Sequence, residues 1–384
     1  MEGAQRVPEM ISAELLDNGR EVEREEIRVR PEYHLTLALY TAIGAAGGVV
    51  SAVGSAPLGL LMLLLATVAM YLDLTARLHI ARYLFPRRPA QNVTSRGERP
   101  DAPARVVLTA NHDAARTGLL YWRRSRRPAR RRRLSTLVGP VDICFWTMAV
   151  ALAAAALRLI TGTDSNVLAV IQFVLTVILM TYVVLFIDVA MSPASDGANS
   201  NASGVATLLE VGRRIARDPL DAIDVWFVFP AAQEGFMLGM RQWMKEKAED
   251  LDPRRTFFVH VDSVAGGKVH HVTGEGFALL YRHDASLIRI CERLGSEPMV
   301  WRTGTDGVIP AMQGFPSVTI CGADEAGRVP NHRRTSDTVA NLDEGALDAA
   351  IDFVEELVRR IDDIAARRVA ADTAPTRPSG ADVL

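Results

Sequence analysis

Cysteine is scarce in this chain of 384 residues. Its three cysteines, Cys144, Cys291 and Cys321, are an odd number and stand at no spacing typical of a metal or redox motif. Because Cys144 also lies inside a long apolar run, we interpret all three as reduced thiols. Their pattern argues against disulfide bonds and favours a cytoplasmic location for the rest of the chain.

The N-terminal region lacks an early apolar segment. Residues 1–34 are polar and rich in Glu and Arg, without a clear apolar period. A cleaved signal peptide would place its apolar region near the N-terminus, so we expect none here. The chain also lacks an internal repeat.

What the chain does contain is four long runs that are almost free of charge, at residues 35–53, 57–72, 137–157 and 167–187. A bilayer-spanning helix needs about 20 apolar residues, within a range of roughly 17–25. We therefore predict two transmembrane hairpins. The competing interpretation is two buried core hairpins of a soluble protein. A transporter is disfavoured, because these runs contain no charge cluster that would form a polar path.

The net charge of −2 is uninformative, but arginines are concentrated between the two hairpins, most densely at residues 123–133. Basic loops beside membrane spans stay in the cytoplasm. No aromatic interleaving or nucleic-acid-binding motif accompanies these arginines, so we expect no nucleic-acid partner. We favour contact with anionic lipid headgroups, where each basic residue contributes about 1 kcal/mol.

The remaining segments alternate between strand and helix patterns. The predicted strands are 104–110, 224–229, 256–261, 268–272 and 317–321, and the predicted helices are 205–216, 236–249 and 344–367. The resulting divisions are a polar N-terminal segment (1–34), the first hairpin (35–72), a basic linker (73–103), the start of an α/β domain (104–136), the second hairpin (137–189), the remainder of the domain (190–370) and a disordered tail (371–384).

The position of the second hairpin predicts the membrane topology. It interrupts the α/β domain, so the chain must leave and return on the same side, which requires an even number of spans. The first hairpin also returns the chain to the side it left. We therefore predict an integral protein of the cell inner membrane, with its N-terminus and α/β domain in the cytoplasm.

The loop Asp196-Gly197-Ala198-Asn199-Ser200-Asn201-Ala202-Ser203-Gly204 follows the second hairpin. It resembles the G-A-N-D-N-A-S-G loop of the di-zinc aminopeptidase family, peptidase clan MH, whose relatives include glutaminyl cyclase and the transferrin-receptor ectodomain. Further resemblance lies in Phe229-Pro230-Ala231-Ala232-Gln233-Glu234-Gly235, Val261-Asp262-Ser263-Val264, Thr273-Gly274-Glu275-Gly276, Gly314-Phe315-Pro316 and Asp337-Thr338-Val339-Ala340-Asn341-Leu342-Asp343.

The resemblance implies a set of zinc ligands that this sequence only partly retains. In the family, the loop Asp bridges two zinc ions, and here its position is Ser200. The family's H-x-D motif reads Asn111-His112-Asp113, which puts Asn111 at the ligand position. The pair of catalytic Glu and acidic ligand reads Gln233-Glu234.

Two ligand positions remain. The first retains the family's Asp, as Asp262, and the second, which is a His in the family, is occupied by Arg333. Each metal would then keep a single protein ligand, whereas zinc sites need three or four. Gln233 cannot accept a proton from water, and general-base catalysis typically contributes about 10²–10⁴-fold. The resemblance therefore implies a degenerate metal site, without a confident catalytic or metal-binding residue.

Two alternatives stay open at this site. His112 and His332 each lie one position from an aligned histidine, and a shifted register would make both of them zinc ligands. Otherwise, we hypothesise that Arg333 replaces the zinc charge by pairing with Glu234 or Asp262, because buried carboxylates without a metal need a compensating cation. The competing interpretation is that both acids face solvent in an open cleft.

The predicted architecture is a zinc-aminopeptidase-like three-layer α/β/α domain with a mixed central sheet, joined to two transmembrane hairpins. We predict a catalytically inactive homologue that needs no cofactor and acts as a binding or scaffold module. Its expected partners are the lipid bilayer and an unidentified protein or peptide. The alternative function is an active membrane metallo-aminopeptidase that holds zinc with unusual ligands.

Overall fold

The computed structural model describes residues 2–122, 139–162, 165–325 and 327–373. The arginine-rich segment 123–133 lies outside the described residues. The predicted tail, 371–384, begins inside the last helix and otherwise also lies outside them.

Helices and strands alternate along the described chain. The helices are α1 (Glu2–Asp17), α2 (Tyr33–Val53), α3 (Ala56–Leu74), α4 (Leu119–Trp122), α5 (Pro140–Thr161), α6 (Asn166–Met191), α7 (Ser203–Arg217), α8 (Leu238–Lys247), α9 (Ala285–Arg293), α10 (Val308–Met312) and α11 (Glu344–Thr373). The strands are β1 (Glu23–Val29), β2 (Arg88–Ser95), β3 (Ala104–Thr109), β4 (Ile223–Phe229), β5 (Thr256–Asp262), β6 (Lys268–Glu275), β7 (Tyr281–Arg282), β8 (Glu297–Trp301) and β9 (Ser317–Ala323).

All of these strands belong to one mixed sheet in the order β1-β2-β4-β3-β5-β9-β6-β7, and β8 also pairs with β6. The four central strands, β4, β3, β5 and β9, are mutually parallel. The pairs β1–β2, β2–β4, β9–β6 and β6–β7 are antiparallel. The predicted mixed sheet is confirmed, and its central strands correspond to the apolar segments from which it was predicted.

Helices cover both faces of this sheet. Successive residues of a strand point to opposite faces. On β3, Val106 and Leu108 pack with the apolar sides of α7 and α11, whereas Val107 packs with α8 and α10. Gly204 in the first turn of α7 permits close packing, because a Cβ there would lie 2.4 Å from the carbonyl oxygen of Val261. This arrangement is the predicted three-layer fold.

Helices α2, α3, α5 and α6 pack against one another as a bundle. All four are long and apolar enough to cross a membrane, with 21, 19, 22 and 26 residues. They match the four predicted spans in number and order. The apolar interior of the bundle continues into the domain, because Leu37 and Met70 belong to the same buried cluster as Trp243 and Phe258.

The sheet also contains two strands that the sequence did not predict. β1 lies in the polar N-terminal segment and β2 in the basic linker; β2 pairs with β4, and β1 pairs with β2 at the edge of the sheet. The apolar pattern of β2 is weak because it contains Asn92, a fully buried polar residue whose amide is satisfied by hydrogen bonds. Its side chain donates to the carbonyl oxygen of Gly239 at 3.1 Å and accepts from the N–H of Ala231 at 3.0 Å.

A buried ion pair connects the bundle to the domain. Asp73, near the end of α3, accepts from Nη2 of Arg82 at 2.6 Å and also lies 2.9 Å from Nδ1 of His79. Arg82 in turn donates through Nη1 to the carbonyl oxygen of Gly235 at 2.7 Å. Because Gly235 follows Glu234, this network fixes the end of a predicted span to the loop that carries the candidate site.

Candidate functional site

The predicted site residues meet at the carboxyl edge of the parallel strands. Asn111 follows β3, Gln233 and Glu234 follow β4, and Asp262 ends β5. Ligands bind in open α/β sheets at this edge, where the loops after adjacent strands converge. The loop after β4 is tightly turned, with positive φ values of 57°, 85° and 55° at Ala232, Phe236 and Met237.

Gln233 connects two acidic residues. Its Nε2 donates to Oδ2 of Asp262 at 2.9 Å, and its Oε1 accepts from the backbone N–H of Asp306 at 2.8 Å. These partners require an amide, since one is an acceptor and the other a donor. Burial alone would raise the pKa of Asp262, but the His260 ring, 3.8 Å away at Nε2, and the Ser263 hydroxyl hold that pKa below its ordinary value.

Glu234 forms an ion pair with Arg333. Both side chains are largely buried, with 17% and 10% of their surfaces exposed. The pairing hypothesis is therefore confirmed for Glu234, and the competing interpretation of solvent-facing acids is wrong. Burial raises the pKa of Glu234 to about 7, an effect that Asp113 and Asp262 reinforce and that the positive charge of Arg333 opposes.

Asp113 positions the loop that carries this ion pair. Its carboxylate accepts from the backbone N–H of Gln233 at 2.9 Å and from that of Glu234 at 3.0 Å. Asn111 donates through Nδ2 to the backbone oxygen of Asp113 at 3.2 Å. Burial raises the pKa of Asp113, although the two backbone N–H groups work in the opposite direction. The Asn-His-Asp segment thus supports the loop after β4.

Ser200 lies in a buried π-helical turn, Ala198–Ala202. Asp337 holds this turn by accepting from the backbone N–H groups of Asn199 at 2.6 Å and Ser200 at 3.3 Å. The Ser200 hydroxyl is buried and has no hydrogen-bond partner among the described residues. The turn is therefore preserved while its central side chain is a neutral hydroxyl.

The two histidines of the alternative register do not form a shared ligand set. The Nε2 of His112 lies 2.9 Å from the carbonyl oxygen of Gln91 on β2, which engages the ring with the neighbouring strand. The ring of His332 lies against Trp301, with centroids 6.0 Å apart. In the described part of the chain, neither histidine belongs to a metal-holding group of three or more His, Cys, Asp or Glu side chains.

Asp306 is a site residue that the sequence analysis missed. Its carboxylate is fully buried, and neither oxygen has a hydrogen-bond partner within the described residues. Burial raises its pKa well above the ordinary value, and the nearby Asp113, Asp262, Glu275 and Glu234 add to the effect. The only signal in the sequence is an Asp in the glycine-flanked turn Gly304-Thr305-Asp306-Gly307.

This donor set does not fit a pair of zinc ions. A catalytic zinc needs three protein ligands and an open position for water. At the aligned positions, Glu234 forms an ion pair with the guanidinium of Arg333, and Asp262 accepts hydrogen bonds from Gln233 and Ser263. Asn111, Ser200 and Arg333 supply neutral or cationic groups. Within the described residues, Arg333 thus places a cation directly against Glu234.

Comparisons with known proteins agree with this fold. Residues 184–358 match the model for Peptidase family M28. The predicted resemblance to the zinc-aminopeptidase family is confirmed. No curated protein matches the chain.

Solved structures give the same picture for the M28-like domain. Glutaminyl cyclase from Bacteroides thetaiotaomicron, bound to N-acetylhistamine, is similar at 14% identity, with 94% of this chain and 90% of that chain covered and a TM-score of 0.51. A Zn-dependent exopeptidase from Parabacteroides distasonis has 14% identity, coverage of 92% and 89%, and a TM-score of 0.49. At this identity, the similarity to glutaminyl cyclase shows the fold alone.

Proposed function

We propose that this chain is an integral membrane protein whose M28-like domain does not hydrolyse peptides and instead acts as a binding or scaffold module. The observation that carries the proposal is the ion pair between Arg333 and Glu234. A buried carboxylate without a metal needs a compensating cation, and Arg333 supplies one from within the chain. Arg333 therefore balances the charge of Glu234 without zinc.

The position of the general base supports the same proposal. In the family resemblance, Gln233 stands where the catalytic Glu belongs, and an amide cannot take a proton from water at neutral pH. Both ends of the Gln233 amide are also occupied, by Asp262 and by the backbone of Asp306. The side chain thus has a structural role between two acids.

The proposed location is the cell inner membrane, with the four apolar helices as spans and the M28-like domain in the cytoplasm. The length and composition of the helices support the spans. The pairing of β1 with β2 supports the return of the first hairpin to one side, and the pairing of β2 with β4 supports that of the second, because each pair joins strands that come before and after a hairpin. The lipid bilayer is one proposed partner, and a protein or peptide is the other.

The competing function is an active membrane metallo-aminopeptidase with unusual ligands. Zinc analysis of the full-length protein, purified in detergent, separates the two by mass spectrometry and by titration with zinc. A variant that restores the family pattern, Asn111→His, Ser200→Asp, Gln233→Glu and Arg333→His, serves as the matched comparison.

We expect no zinc in the natural chain, no release of N-terminal residues from peptides, and zinc uptake by the restored variant. About two zinc ions per natural chain, together with peptide hydrolysis that a chelator abolishes, would overturn the proposal.

A further inference from the structure

A cavity of about 340 Å³ lies beside the Glu234–Arg333 ion pair. The segments that line it come from both parts of the molecule. Tyr33 is the first residue of α2, and Pro140 and Val141 begin α5, whereas Trp301, Arg302 and Arg333 belong to the M28-like domain. Its volume is within the range of small-molecule sites, which is about 300–1,000 Å³. The cavity thus lies between the domain and the ends of two predicted spans.

Buried donors on Tyr33 and on two arginines belong to the residues that line this cavity. The hydroxyl of Tyr33, Nε of Arg302 and Nη1 of Arg333 are buried and have no hydrogen-bond partner among the described residues. Tyr33 is itself 4% exposed. Buried polar groups are normally satisfied, so each of these atoms requires an explanation. All three can donate a hydrogen bond, and together they match a ligand that carries oxygen acceptors.

The charge of the lining favours an anion. Four arginines line the cavity. Two of them form ion pairs with carboxylates, Arg333 with Glu234 and Arg328 with Asp324 at 2.6 Å, so the lining keeps an excess of positive charge. Such a lining disfavours the protonated amine of a peptide N-terminus, which would meet like charge. A phosphate or carboxylate would accept hydrogen bonds from Tyr33, Arg302 and Arg333. Guanidinium groups suit this role because their planar donors match oxyanion geometry.

The rest of the wall is apolar and aromatic. Phe277, Val300, Trp301 and Val329 contribute to it, and the ring of Tyr33 lies 6.0 Å from that of Phe277. A ligand that fills the cavity therefore combines an anionic head with an apolar body. The predicted spans α2 and α5 begin at the same wall, which brings the cavity to the level of the membrane surface. A membrane lipid has both properties at that level.

We propose that this cavity binds the headgroup of an anionic phospholipid, with the phosphate on Tyr33, Arg302 and Arg333 and the first part of an acyl chain against the aromatic wall. The inference rests on the proposed function, because it requires Arg333 to stay in the site in place of a metal. It adds a ligand class to the binding module and makes the bilayer the source of that ligand.

The test uses the full chain in a nonionic detergent and short-chain lipids as probes. Dihexanoyl phosphatidic acid is compared with dihexanoyl phosphatidylcholine, and glycerol 3-phosphate represents a free phosphate. Native mass spectrometry counts the molecules bound per chain, and a thermal shift reports their affinity. The variants are Arg302→Gln and the milder Tyr33→Phe, which removes a hydroxyl and keeps the ring. Arg254→Gln, in an exposed basic patch remote from this cavity, is the matched control.

We expect one tightly bound phosphatidic acid per chain, with weaker binding of phosphatidylcholine and of glycerol 3-phosphate. Arg302→Gln should weaken binding about tenfold or more, since a hydrogen bond to a charged group is lost. Tyr33→Phe should weaken it severalfold, and Arg254→Gln should leave it unchanged.

Equal binding of the two lipids, or unchanged affinity in both cavity variants, would overturn the inference. Binding of glycerol 3-phosphate as tight as that of the lipid would overturn the bilayer as its source, and preferential binding of a peptide carboxylate would replace the lipid by a peptide. The same preparations are analysed for zinc. A zinc-free protein without lipid selectivity would contradict this inference alone, whereas a zinc-loaded, active protein would contradict the proposed function.

Discussion

Nε2 of Gln233 donates a hydrogen bond to Oδ2 of Asp262 at 2.9 Å. This bond depends on an amide at position 233, because a carboxylate there would face another carboxylate at hydrogen-bond distance. The amide of Gln233 therefore contributes directly to the stability of the site.

The substitution Gln233→Glu tests this relationship. At pH 8 we expect the variant to unfold more easily by about 1–3 kcal/mol, because Asp262 loses its donor and gains a like charge. The loss should be smaller at pH 5, where the two carboxylates can share a proton. Thermal unfolding in detergent at both pH values measures the difference. Gln313→Glu, at an exposed position, is the control, and equal stability of the Gln233→Glu variant and the natural chain at pH 8 would refute the interpretation.

The substitution Asp306→Asn tests the buried acid that the sequence did not reveal. The folded pKa of Asp306 is raised well above its ordinary value. Between the unfolded and folded pKa values the folded state holds the extra proton, so the stability of the natural chain falls as pH rises above about 4. The Asn variant lacks this dependence, and its relative stability should increase with pH. Unfolding midpoints from pH 5 to pH 9 check this, with the exposed Asp101→Asn as the control. A difference that is constant with pH would contradict the prediction.

A double-mutant cycle tests the ion pair of Arg333 and Glu234. Arg333→Met leaves a buried carboxylate without its cation, and we expect a loss of about 3–5 kcal/mol above pH 7. The loss should shrink below pH 7, where Glu234 takes up a proton because its pKa is about 7. Adding Glu234→Gln should restore most of the stability. Additive effects of the two substitutions would show that the residues do not interact.

The predicted topology can be tested with single added cysteines. The three natural cysteines are buried, so they give little background labelling. Ser55→Cys lies between α2 and α3, and Asp101→Cys lies between β2 and β3, two strands of the sheet of the M28-like domain, and both positions are exposed. A membrane-impermeant maleimide should label the first in intact cells and the second only after permeabilisation. Labelling of Asp101→Cys in intact cells would place the domain outside the cytoplasm.

The central part of the fold could be predicted because its strands are rich in apolar residues. Strands β3, β4, β5 and β9 are almost completely buried, and their sequences are rich in apolar residues and bounded by turns. The four predicted spans are also recognised by their apolar residues, which extend over longer runs. Strands β1 and β2 escaped prediction because β1 is an edge strand with mostly charged residues, and β2 buries Asn92 and Thr94.

The residues of the site could be predicted only where they lie in a recognisable sequence motif. The resemblance of three separate motifs located Ser200, Glu234 and Asp262, and the expected lack of a metal charge led to the predicted pairing of Arg333. Spacing alone could not show that His112 turns to the backbone of Gln91. Asp306 lies in a turn that is distant in sequence from the other site residues, and its burial depends on contacts that no local sequence pattern encodes.

The position of β4 between β2 and β3 has a consequence for how this protein is made. A ribosome synthesises β2 and β3 before the second hairpin and β4 only after it. The two early strands are therefore joined through β4 only after the whole second hairpin, α5 and α6, has been synthesised. If α5 and α6 cross the bilayer as proposed, their insertion precedes closure of the sheet, and a nascent chain stalled before β4 would expose the unpaired edges of β2 and β3 to chaperones and proteases.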